Sequence, residues 1–99
     1  MLTDVETDLT LHELPPRTRT DRHPRWEVRY QGKLIGWVES QTIGRSSTRF
    51  FHGYVLIEGQ RIDLEINTDL EERCQTVLDA WRDPASNVHA RYALRLPEP

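Results

Sequence analysis

Between Trp26 and Trp81 the apolar residues change period, and that change constrains the fold of this 99-residue chain more than any other feature. Residues 25–33 (Arg-Trp-Glu-Val-Arg-Tyr-Gln-Gly-Lys) and 58–66 (Glu-Gly-Gln-Arg-Ile-Asp-Leu-Glu-Ile) alternate polar and apolar positions, the period of a half-buried strand. Leu70, Cys74, Val77, Leu78 and Trp81 then fall at offsets of 4, 7, 8 and 11, a single stripe on an α-helix. A switch from period two to period 3.6 within one unit predicts an α+β fold. Its form is a four- to five-stranded, mainly antiparallel meander with one α-helix packed on one face.

The punctuation agrees with that layout. All six prolines lie outside residues 25–83 and all five glycines lie inside. Proline removes ladder donors and breaks helices, so a proline-free stretch flanked by prolines suits a continuous sheet-and-helix unit. Strands are expected over about 25–30, 34–39, 49–57 and 60–66, with a helix over about 68–82. Gln31-Gly32 and Glu58-Gly59 supply glycine where tight hairpins need positive φ. Residues 40–48 read as the longest polar connection. Ile62, Leu64 and Ile66 are placed inward. Thr68-Asp-Leu-Glu71 has the form of a capping box, and Asp83-Pro84 stops the helix. Alternation of Val88, Ala90, Tyr92, Leu94 and Leu96 reads as a fifth strand over 88–96, with a terminal helix as the competing assignment. Residues 1–24 read as a flexible, acidic, proline-rich arm with a short strand over 9–14, leaving 25–99 as a single domain.

Charge is segregated. Residues 1–16 carry −4, residues 17–50 carry +5 and residues 51–99 carry −4, for a net −3 and an isoelectric point near 5.8. Twelve of the thirteen basic residues are Arg, a bias that points to a GC-rich bacterial genome, and the chain is expected to be a small bacterial or phage accessory protein. The one cysteine, Cys74, lies on the helix stripe and reads as a buried small hydrophobe. With no basic leader or long apolar run after Met1, the chain is expected in the cytoplasm, away from membranes.

Catalytic and metal chemistry find little support. His12, His23, His52, His89 and Cys74 are scattered singly, without the close pairing of zinc ligands. Ser46 or Ser47, His52 and Asp63 supply the residue types of a nucleophilic triad, but no glycine-flanked serine elbow accompanies them. Gly44-Arg-Ser-Ser-Thr48 lacks the Gly-Lys-Ser/Thr ending of a phosphate-binding loop. The expectation is a protein that is not an enzyme and holds no cofactor or metal.

The informative surface lies on the strand over 49–57. Phe51, Gly53, Val55 and Ile57 face one side, and Phe50, His52, Tyr54 and Leu56 the other, so both faces need a cover. The helix stripe covers one. Terminal segments or a partner, including a second copy of the chain, cover the other. Arg25 and Arg29 alternate with Trp26, Val28 and Tyr30, and Arg49 opens the 49–57 strand. Phe50, His52, Tyr54, Leu56, Arg25, Arg29 and Arg49 therefore form the candidate interaction face. A non-catalytic protein-interaction module, dimeric or with a protein partner, is the leading expectation. Nucleic-acid binding through the basic region 17–50 is the alternative, because bases stack on aromatics while Arg meets phosphate.

Three strands followed by a helix, with Trp26 early and Gly32 in the first hairpin, loosely resemble sheet-type DNA-binding modules such as the arm-binding domains of phage integrases. The resemblance spans residues 26–82 in element order and implies DNA contact through the sheet. Those modules are strongly basic. This chain departs from them in the acids along 58–72 and in its overall charge.

Overall fold

The computed structural model describes residues 8–42, 44–45 and 47–97. Five strands, β1 (Leu9–Glu13), β2 (Arg25–Tyr30), β3 (Lys33–Thr42), β4 (Arg49–Ile57) and β5 (Gln60–Asn67), pair in sequence order, each antiparallel to the next. Two helices follow, α1 (Leu70–Arg82) and α2 (Val88–Leu94), joined by a 3₁₀ turn at Pro84–Ser86. The fold is an antiparallel meander with both helices on one face.

The hairpin turns follow from two dipeptides. Gln31 and Gly32 have φ of 52° and 80°, and Glu58 and Gly59 have 51° and 79°. Two successive positive φ values give a two-residue turn whose twist matches the strands, and glycine takes the second at no steric cost.

The core lies between the sheet and α1. Val28, Ile35, Val38, Val55, Ile62 and Leu64 from the strands meet Cys74, Val77, Leu78 and Ala80 from α1, all buried. Each fully buried Val, Ile or Leu contributes about 1.5–3 kcal/mol. Val77 sits over two strand glycines. A Cβ added at Gly36 would lie 2.6 Å from Val77 Cγ1, and one at Gly53 would lie 3.3 Å from Val77 Cγ2. Those glycines let the helix approach the middle of the sheet.

Two bulges set which residue faces which side. In β2–β3 the register passes from Val28↔Gly36 to Arg29↔Leu34, so Ile35 is the extra residue, and it is completely buried. In β4–β5 it passes from Tyr54↔Asp63 to His52↔Ile66, so two residues of β5 oppose Gly53 alone. Directly paired residues share a face. The second bulge therefore moves Ile66 from the helix side, where the alternation put it, to the side of His52, and leaves it 42% exposed. The buried Arg73 of α1 donates through Nη1 to the Glu65 carbonyl at this bulge, at 3.0 Å.

Three boundaries differ from the sequence reading. β3 runs to Thr42, because Ser40, Gln41 and Thr42 continue to pair with Phe51, Phe50 and Arg49. The N-cap of α1 is Asp69, one residue beyond Thr68, and its carboxylate accepts from the Glu72 amide at 3.2 Å. Asn67 Oδ1 accepts from the Thr68 and Asp69 amides and turns the chain into the helix. Residues 88–94 form a helix, not a fifth strand. Asn87 caps it by accepting from the His89 and Ala90 amides at 3.0 and 3.1 Å, and Ala90, four residues before Leu94, enters the core. The fifth strand is β1, within the short strand expected over 9–14, and it docks on β2.

Candidate functional site

Both helices join one hydrophobic cluster, so they cover one side of the sheet. Among the described residues no helix or strand crosses the other side. The loop before β2 meets it through Arg17, which pairs with Glu39, and through the Pro15 carbonyl, which accepts from Arg25. Cross-strand register arranges the open face in rows. The central row is His12, Glu27, Trp37, Tyr54 and Asp63, one residue from each strand. On one side lie Arg25, Glu39, His52 and Ile66, and on the other Arg29 with Leu34, and Leu56 with Arg61.

Trp37 and Tyr54 are direct cross-strand partners at the centre. Arg61 reaches in from β5 and lays its guanidinium over both rings, 3.9 Å from the Tyr54 centroid and 5.2 Å from that of Trp37. The same guanidinium donates to Glu39 Oε2 at 3.0 Å, and Arg17 donates to that oxygen at 3.0 Å. Each such pair at a wet surface is worth well under about 1 kcal/mol, and a cation over a ring about 0.5–1 kcal/mol. Together they fix orientations more than they stabilise the fold. His52 stacks on Tyr54 with centroids 4.3 Å apart and planes 19° apart, and its Nδ1 lies 3.3 Å from the Tyr54 hydroxyl. His52 Nε2 is buried with no hydrogen-bond partner among the described residues. Partial burial raises the Tyr54 hydroxyl above its ordinary value of 10, and the Glu39 carboxylate pushes the same way. The result is a flat aromatic centre inside a ring of alternating charge.

Six of the seven sequence candidates lie on this face. Phe50, His52, Tyr54 and Leu56 line it from β4, and Arg25 and Arg29 from β2. Arg49 does not. It shares the parity of Phe51 and Gly53 and donates to Ser40 Oγ at 3.2 Å, on the helix side of the sheet. The other two candidate arginines are engaged as well. Arg29 donates to Glu27 at 2.8 Å, and Arg25 to the Pro15 carbonyl at 2.8 Å. Trp37, Glu39 and Arg61 escaped the sequence reading. Trp37 sits between Gly36 and Val38 in a run that is apolar throughout, so its side shows only once β3 is aligned with β4.

No catalytic arrangement assembles among the described residues. Ser46 lies outside them, and Ser47 is in an exposed segment. His52 and Asp63 share the open face in neighbouring rows, and His52 Nδ1 faces the Tyr54 hydroxyl rather than Asp63. No three His, Cys, Asp or Glu side chains among the described residues stand where they could hold a metal ion. No helix among them is long and apolar enough to cross a membrane. The integrase-like element order is exceeded, since four strands precede α1 within residues 25–82 and β1 adds a fifth. No family model, curated protein or solved structure matches this chain.

Proposed function

We propose that this chain is a non-catalytic protein-binding domain whose partner docks on the open sheet face around Trp37, Tyr54 and Arg61. The observation that carries the reading is the paired Trp37 and Tyr54 at the centre of the uncovered face, held flat under Arg61. Trp, Tyr and Arg are the residue types that dominate the energetics of protein interfaces, through large buried area at low entropic cost. Leu34, Phe50, Leu56 and Ile66 add apolar surface around them, and Glu27, Glu39, Asp63, Arg25 and Arg29 supply a charged rim. Nucleic acid fits this face less well. Three carboxylates lie among the arginines, and Arg29, Arg61 and Arg17 are each paired with one of the chain's own acids.

A photo-crosslinking side chain placed at Leu56, and separately at Glu71 on α1, tests the reading in cells. Protein adducts are expected from position 56 and not from position 71. Trp37→Ala is expected to remove them, with a loss of affinity of about 30-fold, the equivalent of about 2 kcal/mol. Equal adducts from both positions, or nuclease-sensitive adducts at 56, would contradict it.

A further inference from the structure

The two edges of the sheet are built differently. β5 presents Arg61, Asp63 and Glu65 at alternate positions, and α2 packs beside it. Charged residues and a covering helix are the usual protection of a sheet edge. β1 has neither. Residues 9–13 (Leu-Thr-Leu-His-Glu) contain no proline, lysine or arginine, pair with β2 without a bulge, and have no strand on their outer side among the described residues. Leu11 is 38% exposed there.

The hydrogen bonds at each end of the β1–β2 ladder fix which backbone groups point outward. The Gln31 amide donates to the Asp8 carbonyl at 3.0 Å, and the Leu14 amide to the Arg25 carbonyl at 2.8 Å. In an antiparallel pair, residues that exchange hydrogen bonds alternate with residues that do not. Thr10 and His12 therefore turn their N–H and C=O groups toward β2. Leu9, Leu11 and Glu13 turn theirs away, leaving three donors and three acceptors on the outer edge.

We propose that this edge pairs antiparallel with the β1 edge of a second copy, about a two-fold axis through Leu11. That register sets Leu11 against Leu11 of the second copy and Leu9 against Glu13 at both ends. All six outward groups of each copy are satisfied, by six hydrogen bonds in total. Moving the axis to Thr10 or His12 forms only four. No like charges oppose one another, because Glu13 meets Leu9 and His12 meets Thr10. The exposed Leu11 side chains meet at the centre of the seam. The product is a continuous ten-stranded sheet that presents two open faces on one side, and it forms whether or not those faces bind a partner. Five residues per edge make a small interface, so the dimer is weak and reversible.

Sedimentation velocity from about 10 µM to about 1 mM tests the pairing, with a midpoint expected above about 10 µM. The Leu11 amide points away from β2, so Leu11→Pro removes an outward donor without breaking the β1–β2 ladder. It is expected to stay monomeric at every concentration while keeping the helical circular dichroism of the wild type. Leu11→Lys, which sets two ammonium groups face to face, is expected to weaken association by about tenfold or more. Trp37→Ala is expected to leave association unchanged. Wild type that remains monomeric at about 1 mM overturns the proposal. So does a dimer that survives both Leu11 variants but is lost in Trp37→Ala.

Discussion

Burial raises the Cys74 thiol from its ordinary value of 9.0 to about 12, with the Glu71 and Asp69 carboxylates adding to the effect. The side chain is 5% exposed and packs in the core with Val77 and Leu78. Its protonated form is the one the fold accommodates. Above pH 9 the unfolded chain loses this proton while the folded chain keeps it, so stability falls as pH rises between about 9 and 12. The slope approaches about 1.4 kcal/mol per pH unit inside that window and vanishes below it. The quantity to measure is the urea unfolding free energy of wild type minus that of Cys74→Ala, which isolates the thiol. That difference is expected to be flat below pH 8 and to fall above pH 9. A difference that stays flat to pH 11 would mean that the thiol reaches water. The burial was legible from the position of Cys74 on the helical stripe, whereas the burial of Arg73 beside it was not. A charged residue reads as surface, and the Glu65 carbonyl that receives it lies at the β5 bulge, which a single sequence does not display.

Among the elements, the start of α1 separates two readings that differ by one residue. Thr68 and Asp69 are both good capping residues, and Glu71 and Glu72 both complete a box three positions on. The backbone decides, since Asp69 has the extended φ of −109° and accepts from Glu72 N. Asp69→Ala is expected to cost about 1 kcal/mol, and Thr68→Ala less than about 0.5 kcal/mol, in chemical denaturation. Equal losses, or the reverse order, would move the cap back to Thr68. Residues 88–94 illustrate a different ambiguity. Positions 88, 90, 92 and 94 satisfy strand alternation, yet 88/92 and 90/94 are also helical neighbours four apart, so a short run fits both periods. Asn87, which caps the helix, and the helix-favouring Ala90 and Ala93 were the local signals for the helix. The hairpin turns, by contrast, were readable from Gln31-Gly32 and Glu58-Gly59 alone, because their φ requirement is local.

In the whole molecule, five strands carry a helix-covered face and an open one, and the open face is where a binding function is proposed. Its β4 residues were legible from simple alternation. Its centre was not, because Trp37 and Arg61 come to Tyr54 through cross-strand register, which a single sequence does not display. Neither terminal segment covers this face within the described residues, since β1 widens the sheet and α2 joins the helix side. Phe50, Tyr54 and Leu56 are thus half-buried on the face without a helix, although their composition resembles a core. Tyr54 and Val55 are adjacent in β4 and point to opposite sides, so the same substitution at each reads the two faces directly. Tyr54→Asp loses a ring contact with Arg61 and His52 but leaves its carboxylate in water. Val55→Asp buries a charge beneath α1, where Val55 is fully inaccessible. Urea denaturation followed by circular dichroism is expected to show Tyr54→Asp folded with a loss of about 1–2 kcal/mol, and Val55→Asp unfolded or more than about 4 kcal/mol weaker. Equal destabilisation by both substitutions would contradict an open face on this sheet.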